Sequence, residues 1–87
     1  MAYSIVFATA AKRQFDKLPQ AIQRRITDSV SQLENDPRPT GVVKLSGKDG
    51  LYRLRVGDYR AIYRIEDDRL IILIVKIGHR REIYREH

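Results

Sequence analysis

Arg53, Arg55 and Arg60 fall in the stretch LYRLRVGDYRAIYR (51–64), where arginine alternates with Tyr, Leu, Val and Ile around Gly57-Asp58. Two β-type runs joined by a two-residue Gly-Asp loop predict a hairpin, with Gly at the first central position suiting a type II′ turn. In that register Val56 faces Tyr59, Arg55 faces Arg60 and Arg53 faces Ile62. Alternation then puts Arg53, Arg55 and Arg60 on one face, and Tyr52, Leu54, Val56, Tyr59, Ala61 and Tyr63 on the other. The second face is a core. The first opposes two like charges, at a cost of roughly 0.2–1 kcal/mol, which serves a fold only if something anionic sits there. Guanidinium groups bind phosphate bidentately and never shed a proton at working pH, so the chemistry on offer is phosphate binding and charge stabilisation.

The elements that must position these residues follow from periodicity. Tyr3–Ala8 is a β-branched and aromatic run, read as a strand. Thr9 is placed to cap a helix over Ala10–Leu18, whose Ala11, Phe15 and Leu18 fall at i, i+4 and i+7. Pro19 closes it and opens a second helix, Gln20–Glu34, with Ile22, Ile26, Val30 and Leu33 as its apolar stripe. Arg24, Arg25 and Asp28 are assigned to its solvated side. Asn35-Asp36-Pro37-Arg38-Pro39 ends the helix, Val42–Leu45 is a short strand, and residues 46–50 form a loop. Beyond the hairpin, Asp67-Asp68 predicts a tight turn. Arg69–Ile77 (RLIILIVKI) reads as a strand covered on both faces near the sheet centre, ended by Gly78. His79–Arg85 reads as a basic tail. The order β-α-α-β-β-β, with room for one final short element, gives an α+β domain, a two-helix hairpin packed on a twisted, mainly antiparallel sheet.

The 87 residues suffice for one domain with a modest core, and 43% hydrophobic against 32% charged is a globular composition. A net charge of +6 points to an anionic partner: nucleic acid, a membrane surface or an acidic protein. No run approaches the ~18 apolar residues of a membrane span, and the N-terminus lacks the pattern of a signal peptide, so a cytoplasmic protein is expected. The absence of cysteine excludes disulfides, a thiol nucleophile and Cys-ligated metal. No His/Asp/Glu spacing suggests a metal site, and there is no Gly-rich phosphate loop.

The segments KLSGKDGLYRLRVGDYRAIYRI (44–65) and VKIGHRREIYR (75–85), with the apolar strand between them, resemble the RelE/ParE family of toxins from toxin–antitoxin pairs, most closely its RelE branch. The opening YSIVFATAAKRQFDKLP fits that family's first strand and helix, so the resemblance spans essentially the whole chain as one domain, 1–87. It implies the fold read above and a ribosome-dependent endoribonuclease that cuts mRNA in the A site. The RNA's own 2′-hydroxyl is the nucleophile, with no metal or other cofactor. The implied partners are the ribosome, mRNA and an acidic, RelB-like antitoxin. The alternative within the family is a ParE-like, non-enzymatic inhibitor of DNA gyrase, a branch in which the basic site residues are generally missing. Outside it, the rival is a nucleic-acid-binding module whose arginines only hold phosphate.

The family's functional positions match Arg53, Arg55, Arg60, Arg80 and Tyr84. Arg60 is the first choice for stabilising the pentacovalent phosphate. Arg80 could bind the phosphate or the leaving oxygen, and Tyr84 could stack on a base or orient the phosphate. Well-studied relatives carry lysine where Arg53 and Arg55 stand, so these two would act electrostatically on the 2′-hydroxyl rather than take its proton. His79, the one side chain near the site that titrates close to neutrality, is the candidate acid or base. Lys44, Lys48 and Arg81 are candidate RNA-binding residues. Tyr84 stands close to the chain end, and the C-terminal helix of some members is not expected here.

Overall fold

The computed structural model describes residues 2–45 and 50–85, with side chains as far as Glu82. The chain runs β1 (Ser4–Phe7), α1 (Thr9–Asp16), α2 (Gln20–Ser31, continued by a 3-10 turn over Gln32–Glu34), β2 (Val43–Lys44), β3 (Leu51–Val56), β4 (Tyr59–Glu66), β5 (Ile71–His79) and α3 (Arg80–Arg85). All five strands form one sheet in the order β1-β5-β4-β3-β2. β1 lies parallel to β5 and the other pairs are antiparallel. This is the expected α+β architecture.

The two helices cover one face of the sheet. Their apolar positions are the periodic ones: Ala11 on α1, and Ile26, Val30 and Leu33 on α2 and its extension, meet Tyr63, Ile72, Ile74 and Ile77 of the sheet, each at most 2% exposed. The α1–α2 connection is held from α2, where the Gln23 amide donates to the carbonyls of Phe15 and Leu18 at 3.0 and 3.2 Å. It thereby satisfies acceptors that the end of a helix leaves without intrahelical partners. Thr9, expected as the cap, is instead the first helical residue, and Pro19 precedes α2 rather than opening it.

The strand register decides what lies on the uncovered face. β3 and β4 pair as Val56–Tyr59, Arg55–Arg60 and Arg53–Ile62, as the two-residue loop dictates. Between β4 and β5 the register slips: Ile62 faces Lys76 but Tyr63 faces Ile74, leaving Val75 as the extra residue of a β-bulge. The bulge inverts the alternation, so that Ile77 follows Ile72 and Ile74 into the core. β5 is an interior strand between β1 and β4, as its apolarity suggested, but the centre of the sheet is β4.

Three boundaries differ from the sequence reading. The β4–β5 turn takes four residues, Asp67–Leu70, with Leu70 at φ +54°. Arg69 therefore belongs to the turn, where it pairs with Glu66 at 2.9 Å. β5 continues through Gly78 to His79, and residues 80–85, read as a basic tail with room for one final short element, form the helix α3. The end of the sheet far from the Gly57 turn is tied by a polar clasp. Asp67 accepts from Arg38 Nη2 at 2.8 Å and from the Tyr3 hydroxyl, and Arg38 Nε donates to the Tyr52 hydroxyl at 3.2 Å. Tyr63 OH donates to the Pro37 carbonyl at 2.8 Å, anchoring the connection between α2 and β2 to the central strand.

Candidate active site

The hairpin turn and the open face of β3–β4 carry the candidate residues. Gly57 has φ +60° and Asp58 is not among the positive-φ residues, the pattern of a type II′ turn. Arg55 is exposed and Arg53 half-buried on the open face. Arg60, opposite Arg55, is only 8% exposed. Its Nη1 donates to the carbonyls of Gly57 and Tyr59, both at 3.0 Å. One edge of its guanidinium thus clips the turn closed. Nε and Nη2 have no hydrogen-bond partner among the described residues, and their fixed orientation is the preorganisation that transition-state charge stabilisation requires.

Arg80 joins this group through the backbone. Its N–H donates to the Asp58 carbonyl at 2.8 Å, seating the start of α3 on the hairpin turn. The expected cluster of Arg53, Arg55, Arg60 and Arg80 is therefore gathered at one end of the sheet. Tyr84 lies within α3, about one turn past that anchor, and its side chain falls outside the described residues. Lys48 also lies outside them. Arg81 is exposed beside Arg80, and its N–H donates to His79 Nδ1 at 3.3 Å.

Two candidates are placed away from the arginines. His79 pairs with Tyr59 in the β4–β5 ladder, on the helix side of the sheet, and its ring meets Tyr59 edge-on with centroids 5.5 Å apart. That position separates it from the acid–base role expected for it. Lys44 pairs with Tyr52 and so shares the helix-side parity, while Val43, 44% exposed, takes the place beside Arg53.

The structure also adds two arginines. Arg64 follows Arg60 and Ile62 along the open face and is exposed. Strand parity alone could have found it. Arg25 of α2 could not have been found that way. A Cβ built on Gly57 would lie 2.8 Å from Arg25 Nη2 and 3.3 Å from its Cζ. The guanidinium occupies the space a side chain at 57 would need, and braces the turn from the helix side while Arg60 holds it from the other. Ile62, buried between Arg53 and Lys76 in the ladder, is the apolar floor of the open face.

The family described as "ParE toxin of type II toxin-antitoxin system, parDE" matches residues 5–84. The chain belongs to the RelE/ParE toxin family. Toxin RelG of Mycobacterium tuberculosis is 33% identical to this toxin over 98% of the chain and 99% of its own length. The mRNA interferase toxin RelE of Escherichia coli K12 is 27% identical over 99% of the chain and 94% of its own length. Among solved structures, the toxin of the archaeal RelE–RelB complex from Pyrococcus horikoshii superposes with a TM-score of 0.80 at 34% identity, covering 92% of this chain and 97% of that one. This is a toxin of a type II toxin–antitoxin system, with the α+β fold of the RelE structures.

Proposed function

We propose that this toxin is a RelE-type endoribonuclease that cleaves mRNA in the ribosomal A site by attack of an RNA 2′-hydroxyl on the adjacent phosphate. The observation that carries the proposal is the preorganised cation cluster, with Arg60 clipped to the hairpin turn, Arg55 opposite it and Arg80 anchored on the same turn. A cluster of this kind raises folding cost and suits a phosphate that gains charge as it becomes pentacovalent.

In this reaction the O2′–P bond forms as the P–O5′ bond breaks, leaving a 2′,3′-cyclic phosphate and a 5′-hydroxyl. The 2′-hydroxyl gives up a proton and the leaving O5′ takes one. Arg60 binds the equatorial phosphate oxygens with the guanidinium edge not used on the turn. Arg53 and Arg55 lower the pKa of the 2′-hydroxyl electrostatically, since guanidinium cannot act as a base. Arg80 balances charge on the leaving oxygen, and Tyr84 orients the base or the phosphate from α3. Proton removal is left to the ribosomal substrate complex, because His79 sits across the sheet. The inhibitory partner is an acidic, RelB-like antitoxin, a reading supported by the pairing of RelE with RelB in the archaeal complex.

The test is to add purified toxin to translating ribosomes and map RNA ends, with a gyrase supercoiling assay in parallel. New mRNA ends in the A-site codon, lost in the Arg60→Ala protein, are expected. Inhibition of supercoiling with intact mRNA would overturn this reading in favour of a ParE-like activity, the reading the matched family's name favours. Salt-sensitive RNA binding without new ends would leave only a binding module.

A further inference from the structure

The side of β5 facing away from the arginines ends in a cleft of about 300 Å³ between the C-terminal end of α1 and the start of α3. Lys17, Leu18, Tyr59, Ile77, His79 and Glu82 line it. We propose that this cleft binds one nucleotide, its base against the Tyr59–His79 pair and its phosphate at Lys17.

Size and chemistry support the assignment. The volume lies at the lower limit of ligand sites, enough for one base with its sugar and too small for a docked helix. Leu18 and Ile77 supply an apolar floor, and the paired rings of Tyr59 and His79 supply an aromatic wall, the kind of surface on which bases stack. The walls are fixed before any ligand arrives. Gln14 Oε1 accepts the Ile77 N–H at 2.7 Å, holding the free edge of β5 where β1 has ended. His79 Nδ1 accepts the Arg81 N–H at 3.3 Å, which fixes the orientation of the ring. Lys17 is exposed, and its ammonium has no bonded partner among the described residues. Glu82 and the Gln14 amide offer an acceptor and a donor to the edge of a base.

Position supplies the last argument. His79 is followed directly by Arg80, whose N–H is anchored on Asp58, so the cleft and the arginine face flank the same end of the sheet. An RNA strand rounding that end would place one nucleotide in the cleft and a neighbouring phosphate before Arg60. The assignment of RNA rests on the ribonuclease reading; the nucleotide site itself does not.

The experiment is a titration of the ¹⁵N-labelled toxin with the four nucleoside monophosphates, the matching nucleosides and inorganic phosphate, read as amide shifts. Saturable shifts at Lys17, Tyr59, Ile77 and His79 are expected with the monophosphates. Lys17→Ala should weaken monophosphate binding about tenfold, as loss of a charge-assisted contact does, and leave nucleoside binding unchanged. His79→Ala should weaken both, with the remaining amide spectrum preserved. Shifts confined to Arg55, Arg60 and Arg80, or equal affinity for inorganic phosphate, would overturn the proposal, as would binding indifferent to both substitutions. Shifts produced by an acidic peptide but not by nucleotides would assign the cleft to a protein partner and overturn it too. The titration uses neither ribosomes nor cleavage. A toxin that binds nucleotide here but cuts no RNA loses the enzyme reading and keeps the cleft. One that cuts mRNA yet shows none of these shifts keeps the enzyme and loses the cleft.

Discussion

Arg60→Ala and Arg55→Ala should separate catalysis from folding, because the two residues face each other yet are held differently. Arg60 is buried and donates twice to turn carbonyls; Arg55 is exposed and has no bonded partner among the described residues. A hydrogen bond from a charged donor contributes about 1.5–3 kcal/mol, but the turn is open to water and its carbonyls would be rehydrated, which favours the lower end. Against that loss stands relief of the like-charge pair, roughly 0.2–1 kcal/mol. With two such bonds at the lower end, the net effect of Arg60→Ala is a destabilisation of about 2–3 kcal/mol, and a domain of this size loses about 4–8 °C of Tm per kcal/mol. Arg55→Ala removes only the repulsion, so its Tm should stay level or rise slightly. Urea and thermal unfolding followed by circular dichroism measure both, with growth arrest on induced expression as the functional reading. Both proteins should lose toxicity, Arg60→Ala the more completely. An Arg60→Ala protein as stable as the parent, or an Arg55→Ala protein that falls as far, would refute the account of Arg60 as both turn clip and phosphate ligand.

The Gly57→Ala change should destabilise by about 1–2 kcal/mol from its left-handed backbone alone, and adding Arg25→Ala should recover only the part due to crowding against that guanidinium. Full recovery in the double variant, measured by urea unfolding, would show that backbone strain is not the main cost. The Arg38 guanidinium, and after it the Tyr3 hydroxyl, hold the Asp67 carboxyl below its ordinary value. The unfolded chain therefore binds that proton more readily, and the stabilisation, present above the ordinary carboxylate pKa, is lost as the pH falls below it. Asp67→Asn should flatten this acid limb of the Tm profile. Burial pushes Tyr63 up from 10.0 to about 12, so stability should fall as the pH rises from 10 to 12, less steeply in Tyr63→Phe. An antitoxin that binds the Arg53/Arg55/Arg60 triple alanine variant within about threefold of the parent, with an unchanged salt slope, would be acting away from the arginine face; a collapse of affinity would place it on that face.

The sequence by itself determined the hairpin. A two-residue loop fixes the register, and a side-chain period of two then fixes the face, so Arg53, Arg55 and Arg60 could be grouped before any coordinates. It also determined the helix pair and its buried stripe, since Ile22, Ile26, Val30 and Leu33 repeat at the helical period and their partners are apolar. Its account failed where position depends on a count across an irregularity. Carried from Glu66–Ile71 without interruption, the β4–β5 alternation would place His79 with the arginines and turn Lys76 toward the helices. The single extra residue at Val75 reverses both, keeping a lysine out of the core, admitting Ile77 and sending His79 to the far face. Nothing local announces that bulge, because Val75 looks like its neighbours, and burial of Ile77 in the assembled core selects it. Arg60 and Arg25 show the same limit for side chains: alternation gave the face of one and periodicity the exposed side of the other. Only the packing of α2 over the Gly57 turn decided that both long side chains close on the same four residues.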